Sequence, residues 1–456
     1  MSAAQEQPRA GARAPVLVLV GRPNTGKSTL FNRLTGTRDA LVADLPGLTR
    51  DRQYGRGHYD DRSFIVVDTG GLMPAAGDPL AALAETQARL AIEDADVLLL
   101  LTDAREGLLP ADRDIAVSLR RSGKPLRILV NKAEGLPKSQ LTEFYELGCG
   151  EPWPISAEHG DGVSALLREL LADWPPEAVS ADANDAIRVA VVGRPNVGKS
   201  TLVNRLLGET RVLTSELPGT TRDTIRVPFA YDRHRFLLMD TAGIRRRART
   251  AQAIEKFSVV KALEAIDAAE VVIAMLDAQA AIGAHDAHLL GLVARYGRAM
   301  VIAINKWDGL SLSRRRELRQ AIDYRLPFLD FVPLHFISAL HGSGLRELMR
   351  DVVRARASAL AELPTPQLNR VLQQALERHP PPAVVGRRIK LRYAHQAGRN
   401  PPVVMIHGNR TDRLPQTYRR YLVNVFREAF RLRGVPLRLE LRSGDNPYVQ
   451  RSGGQK

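Results

Sequence analysis

GRPNTGKST at residues 21–29 and GRPNVGKST at residues 193–201 are two copies of one phosphate-binding sequence in a chain of 456 residues. Both fit G-x-x-x-x-G-K-[ST], and each follows an apolar run, 16–20 in the first copy and 189–192 in the second. The order is therefore buried strand, glycine-rich loop, helix. Such a loop curls so that successive backbone N–H groups face a β-phosphate, and the next helix adds the positive end of its dipole. One phosphate site is assigned to Gly21, Arg22, Pro23, Asn24, Thr25, Gly26, Lys27 and Ser28. The other takes Gly193, Arg194, Pro195, Asn196, Val197, Gly198, Lys199 and Ser200. Lys27 and Lys199 are expected to reach the β- and γ-phosphates, and the Ser28 and Ser200 hydroxyls to ligate Mg2+.

The copies run on in parallel. Adding 172 to Thr49 in LPGLTRD gives Thr221 in LPGTTRD, and adding 172 to Asp68 in DTGG gives Asp240 in DTAG. The offset becomes 174 at Asn131 and Asn305 and 182 at Ser156 and Ser338, which confines length changes to the later connections. A repeat this long is a duplicated domain, not a solenoid unit.

Asp68 and Asp240 each close an apolar run, 64–67 and 236–239, where a carboxylate holds a water on Mg2+. Thr69, Gly70, Gly71 and Leu72 in the first copy, and Thr241, Ala242, Gly243 and Ile244 in the second, form the γ-phosphate segment. Gly71 and Gly243 leave room there for a backbone N–H. Asn305-Lys306-Trp307-Asp308 is N-K-x-D, and the Asp308 carboxylate can accept from guanine N1–H and the 2-amino group together. Adenine offers neither arrangement, so GTP is favoured over ATP. Ser156-Ala157 and Ser338-Ala339 follow as the loop whose backbone N–H meets guanine O6. The first copy reads Asn131-Lys132-Ala133-Glu134, one methylene longer at the base-reading carboxylate. Two outcomes stay open: Glu134 binds guanine after a small loop adjustment, or the first site is less selective because the longer side chain loses more rotamer freedom.

The order of motifs resembles the translation-factor-related GTPases, and the duplication narrows the resemblance to the double-Era-like family, Der or EngA, over residues 15–445. That resemblance implies two P-loop G domains of mostly parallel sheet flanked by helices, followed by a small α+β domain with a KH-like fold. It also implies a bacterial GTPase that assists assembly of the large ribosomal subunit, with that subunit and its RNA as partners. Many GTPases place a Gln after D-x-x-G to orient the attacking water, but here Leu72 and Ile244 stand there. The family supplies a substitute, in which P-loop asparagines, here Asn24 and Asn196, help hold K+ where an arginine finger would otherwise act. Local capping of the loop is the other reading of those asparagines. Thr49 and Thr221 are expected to cap Mg2+ only with GTP bound. Asn24, Lys27, Thr49 and Gly71, with Asn196, Lys199, Thr221 and Gly243, are thus the catalytic candidates. Arg245, Arg246, Arg247 and Arg249 follow the second D-x-x-G segment; they either couple nucleotide state to an anionic surface or simply face solvent.

Charge supports a polyanionic partner. The chain carries a formal net charge of +15, and residues 361–456 hold 18 Lys and Arg against 6 Asp and Glu. Most of the excess therefore lies in the last module. There, Leu368, Val371, Leu372, Ala375 and Leu376 have helical spacing, 389–393 and 403–406 read as strands, and 437–441 as a last strand. Between them a helix is expected to bury Tyr418, Tyr421, Leu422, Val425, Phe426 and Ala429. The order α-β-β-α-β suits a KH-like module, yet no G-x-x-G lies between 364 and 456. The usual single-strand clamp is absent, and structured RNA, protein or a neighbouring G domain are the expected contacts.

Composition places a first G domain at 15–173, a Pro- and Ala-rich linker at 174–186, a second G domain at 187–362, the basic module at 363–445 and a tail at 446–456. No apolar stretch is long enough for a signal peptide or membrane span, and a single cysteine, Cys149, cannot form an intrachain disulfide. A cytoplasmic monomer acting on GTP and GDP is expected, with Mg2+ and K+ as cofactors and no DNA or integral membrane partner. The competing readings are a GTP-switched scaffold without catalysis and a tRNA-modifying GTPase. The latter family relies on a C-terminal cysteine that this chain lacks.

Overall fold

The computed structural model describes residues 14–36, 54–69, 89–174, 186–208, 227–239, 259–382 and 389–443. Thr49, Thr221, Gly70, Gly71, Leu72, Asp240, Thr241, Ala242, Gly243, Ile244 and the arginines from Arg245 to Arg249 lie outside those residues.

Strand β1 (Val16–Gly21) contains four successive residues, Val16, Leu17, Val18 and Leu19, without exposed surface. A strand buried on both faces needs neighbours on each side and helices above and below, which is the condition of a parallel sheet. β1 pairs in parallel with β3 (Arg62–Asp68) and β4 (Val97–Asp103). With β2 (Tyr54–Tyr59), β5 (Leu126–Asn131) and β6 (Trp153–Pro154), the order is β2-β3-β1-β4-β5-β6, and only β2 runs antiparallel, as a hairpin with β3. Helix α1 (Lys27–Leu34) follows β1, α2 (Pro110–Arg121) follows β4, and α3 (Val163–Leu170) follows β6. Leu30, Phe31 and Leu34 of α1 join Val163, Leu166 and Leu167 of α3 in the core. Trp174, at the start of the Pro-rich stretch, packs its ring against the same core, and its carbonyl accepts from Arg62 Nε at 2.7 Å.

The second sheet repeats this plan. β7 (Ile187–Gly193), β8 (Val227–Tyr231), β9 (His234–Leu238), β10 (Val271–Asp277), β11 (Ala299–Asn305) and β12 (Leu334–Phe336) stand in the order β12-β11-β10-β7-β9-β8. Strand for strand this is the first sheet. Helices α4 (Lys199–Gly208), α5 (Ala284–Arg295) and α7 (Leu345–Ala359) match α1, α2 and α3 in place. The two sheets differ in the connection after the fifth strand, where the first has a 3-10 stretch, Lys138–Leu147, and the second has helix α6 (Leu312–Arg325). That replacement accounts for the growth of the repeat offset between the Asn and the Ser-Ala loop.

The C-terminal module is α8 (Thr365–Arg378), β13 (Lys390–Gly398), β14 (Val403–Asn409), α9 (Gln416–Ala429) and β15 (Arg438–Ser443). β14 is central, antiparallel to β13 and parallel to β15. Leu391, Ala394, Val404, Ile406 and Leu439 are buried from the sheet, and Leu368, Val371, Leu372 and Ala375 from α8. The buried stripe of α9 is narrower than its sequence suggests: Tyr418, Leu422 and Phe426 are buried, Tyr421 and Val425 are half-buried, and Ala429 is exposed. Three strands and one partner helix offer α9 too little surface to cover more.

This module and the second sheet form one compact unit, and the first sheet forms another. Within the second unit the join is made by backbone hydrogen bonds together with a few side-chain contacts. Met300 N–H, at the start of β11, donates to Gly434 O at 2.6 Å, and Gly434 N–H donates to Phe331 O at 2.9 Å. Asn400 N–H donates to Ala359 O at 3.0 Å, and Arg427 pairs with Asp330 at 3.0 Å. Gly434 has φ +67, and a Cβ there would lie 2.8 Å from Ala355 Cβ, so only glycine permits the approach. Of the contacts expected for this module, the one with a neighbouring G domain is present.

Candidate nucleotide-binding sites

Each phosphate loop leaves the end of a central strand and enters a helix, α1 at Lys27 and α4 at Lys199. The lysine ammonium groups fold back over the loop: Lys27 Nζ donates to Gly21 O at 2.8 Å and Arg22 O at 2.5 Å, and Lys199 Nζ to Gly193 O at 2.9 Å and Arg194 O at 2.7 Å. Burial lowers the Lys27 pKa, opposed by the nearby Asp68 carboxylate. Ser28 Oγ donates to Asp68 Oδ2 at 2.8 Å, which brings together a hydroxyl and a carboxylate of the kind that hard, oxygen-seeking Mg2+ requires.

Asn24 and Asn196 sit in the left-handed region, φ 66 and 63, with exposed side chains. Asparagine tolerates that backbone better than most residues. Their side chains are thus presented by the turn rather than consumed in the core.

The asparagines of the guanine motif clamp three loops together. Asn131 Nδ2 donates to Thr25 O at 2.8 Å and its Oδ1 accepts from Ala157 N–H at 2.8 Å. Asn305 does the same with Val197 O and Ala339 N–H, both at 2.8 Å. The motif lysines complete the tie. Lys132 Nζ reaches Asn24 O at 3.2 Å and Asp103 at 2.5 Å, and Lys306 Nζ reaches Asn196 O at 3.0 Å and Asp277 at 2.5 Å. Both lysines are left-handed, φ 60 and 64, a strain of about 1–2 kcal/mol that the paired carboxylates offset. Burial would raise the Asp103 carboxyl, but the bond from Lys132 holds it below its ordinary range.

A second pair of carboxylates fixes the loops from behind. Arg22 Nε meets Asp112 at 2.8 Å, and Arg194 Nε meets Asp286 at 2.8 Å. Both acids are almost wholly buried at the third position of a helix. Their other oxygens accept from Leu109 N–H at 3.2 Å and Gly283 N–H at 2.9 Å, so each carboxylate caps its helix and anchors a phosphate loop at once. Motif reading passes over these residues. Their signal lies in the repeat itself, since Asp103 and Asp112 recur 174 positions later as Asp277 and Asp286.

The two corners at Glu134 and Asp308 differ. Glu134 pairs with Arg105 at 2.7 Å, and its carboxyl lies below the ordinary range, held there first by its own backbone N–H and further by Ser156 and Arg105. At the second corner Gln279 occupies the position of Arg105, and Asp308 has His341 Nε2 at 3.4 Å. Trp307 stacks on Phe336 with centroids 4.0 Å apart, beneath the Arg315 guanidinium at 5.0 Å. Ala133 gives the first corner no such brace. Ser156 and Ser338 are buried, each at the head of its loop.

A family model described as 50S ribosome-binding GTPase matches residues 16–132 and 188–306. A second, described as KH-domain-like of EngA bacterial GTPase enzymes, C-terminal, matches residues 362–442. GTPase Der of Thioalkalivibrio sulfidiphilus is 55% identical over 439 residues, covering 95% of this chain and 94% of that protein. The chain belongs to the Der (EngA) family of GTPases. GTPase Der of Burkholderia cenocepacia is 53% identical over 442 residues, 96% of this chain and 99% of that one. Among solved structures, Aquifex aeolicus Era bound to GDP and AlF4 aligns at 19% identity with a TM-score of 0.28, over 57% of this chain and 95% of Era. Der membership makes the protein a ribosome-associated GTPase that binds and hydrolyses GTP, which decides against both the scaffold without catalysis and the tRNA-modifying family. No helix among the described residues is long and apolar enough to cross a membrane.

Proposed function

We propose that this Der-family GTPase binds the large ribosomal subunit through contacts of its basic C-terminal module with ribosomal RNA, and that the nucleotide at its two sites governs that binding. It acts in this reading as a cytoplasmic monomer. The observation that carries the reading is the concentration of charge: residues 361–456 hold 18 basic against 6 acidic residues, on a module bonded through backbone to the second G domain. Phosphate contacts of this kind position a protein on RNA without reading sequence. Removing the whole module would strip Met300 of its partner, so charge reversal is the cleaner test. Arg413→Glu, Arg420→Glu and Arg431→Glu together alter three exposed residues of the module. Pelleting of large subunits should weaken by about 10²-fold at moderate salt, while nucleotide binding is unchanged. Equal pelleting by wild type and variant would remove the module as the anchor.

In each site the phosphate-loop residues from Gly21 to Ser28 and from Gly193 to Ser200 hold the phosphates. Glu134 and Asp308 read guanine, and the Ala157 and Ala339 N–H groups meet its O6. Ser28 and Asp68, with Thr49, hold Mg2+, as do Ser200, Asp240 and Thr221 in the second site. Mg2+ held there would neutralise phosphate charge. Gly71 and Gly243 let the backbone approach the γ-phosphate. Leu72 and Ile244 cannot orient a water, and the resemblance to the Der family assigns the exposed Asn24 and Asn196 amides to K+, whose charge would supplement the loop N–H groups. Hydrolysis should accordingly run on the order of ten-fold faster in KCl than in NaCl of equal ionic strength. Asn196→Gly keeps the left-handed turn while deleting the amide, and it should abolish the stimulation at the second site. Equal phosphate release in the two salts would remove K+ from the mechanism.

A further inference from the structure

Among the described residues, α8 and α9 cover the sheet of the C-terminal module on one face, the face of Ala394, Val404, Ile406 and Leu439. On the other face Tyr393 of β13 stands directly across from His407 of β14, with His395 two residues along. The three ring centroids are 5.3, 4.9 and 5.2 Å apart, and the planes lie within 14–25° of one another. A column of three stacked rings would make one spacing the sum of the other two. Three equal spacings instead describe a compact triangular patch of nearly parallel rings. Tyr393 is 41% exposed. His395 Nδ1 and His407 Nε2 are buried polar atoms with no hydrogen-bond partner among the described residues.

The surroundings are cationic. Lys390, Arg392 and Arg442 are exposed, Arg442 lies across from His407 in register, and Glu440 is the only acidic residue in the three strands. The join to the second G domain uses the opposite end of the sheet, at Asn400, Gly434 and Arg438.

We propose that this face binds unpaired RNA bases, stacking them on Tyr393, His395 and His407 while Lys390, Arg392 and Arg442 hold the phosphates. The pairing of π-faces with flanking cations is the chemistry of single-stranded RNA recognition on a sheet, and it requires no G-x-x-G clamp. The inference deepens the ribosomal RNA reading and rests on it.

The test uses the full chain and a 12-nucleotide single-stranded RNA carrying 2-aminopurine, with a duplex of the same sequence alongside. Wild type should quench the fluorophore. Tyr393→Leu with His407→Leu should weaken single-strand binding by about ten-fold or more and abolish the quenching, leaving duplex affinity unchanged. Tyr393→Phe, which keeps the ring, should behave as wild type, and the retained duplex affinity of the double variant excludes a folding defect. Wild type that binds without quenching, or a double variant that quenches as well as wild type, overturns the stacking. Loss of subunit pelleting in the double variant with oligonucleotide binding untouched also overturns it, and would mean that the face meets protein. Normal quenching by a chain that fails to pellet with subunits would instead remove the ribosomal reading and leave the base-stacking site standing.

Discussion

Asp308→Asn should lower the GTP affinity of the second site by about 10²- to 10³-fold and convert it to a xanthine nucleotide site. Two charge-assisted bonds to guanine are at stake, each contributing about 1.5–3 kcal/mol. The amide keeps one acceptor but turns a donor towards the 2-amino group, where xanthine carries a carbonyl that can accept. Trp307, stacked on Phe336, holds the loop so that the change is one of chemistry and not of position. Glu134→Gln should give a smaller exchange, because Arg105 already occupies one oxygen of that carboxylate at 2.7 Å. Titration with fluorescent GDP and XDP reads both effects. Unchanged GTP affinity in Asp308→Asn would show that another group reads the base.

Gly198→Ala should cost the second site about 10²-fold in nucleotide affinity through the asparagine clamp. Gly198 has φ +99, and a Cβ there would lie 2.2 Å from Asn305 Nδ2. Asn305 must then release Val197 O, and the clamp that aligns the phosphate loop with Ala339 opens. Two buried hydrogen bonds at about 1 kcal/mol each, plus about 1–2 kcal/mol for the backbone, give the estimate. Gly26→Ala should do the same to the first site through Asn131, also at 2.2 Å. Gly36→Ala is the control, since Gly36 has φ +66 with nothing within 4 Å of its missing Cβ. If Gly36→Ala and Gly198→Ala lowered nucleotide retention alike, backbone strain and not the clamp would be responsible.

The residues proposed to touch phosphate or base are legible because their chemistry leaves few choices. A phosphate loop needs glycine and lysine at fixed spacing, and guanine needs a carboxylate beyond a strand. The sheets are legible for a similar reason, as short apolar runs such as 300–304, too brief for a helix, read as buried strands. What could not be read was whatever depends on long-range pairing. Arg22 and Asp112 are separated by 90 positions, and neither residue type is unusual where it stands. Asn131 and Asn305 were recognised by their motif, but their bonds to the phosphate loops and to Ala157 and Ala339 exist only once three loops converge. The partnership of Glu134 with Arg105 is of the same kind. Backbone contacts are the extreme case: Gly434 meets Met300 and Phe331 without any side chain, so no residue type advertises the join.

That join has a mechanical consequence. Strand β11 carries Met300, bonded to Gly434, as its second residue and Asn305, bonded to the phosphate loop and to Ala339, as its last; the span between them is what bears the load. At 3.3 Å per residue it is a strut of about 17 Å, stiffened by parallel pairing with β10 and β12. A load applied to the C-terminal module is therefore carried along β11 to Asn305, and the module cannot swivel on its own G domain without breaking the Met300–Gly434 and Gly434–Phe331 hydrogen bonds. Spin labels at Leu312 and Arg392, both exposed and both in this unit, should report one distance whether GDP or a GTP analogue is bound; a change of several ångströms would mean that the strut bends.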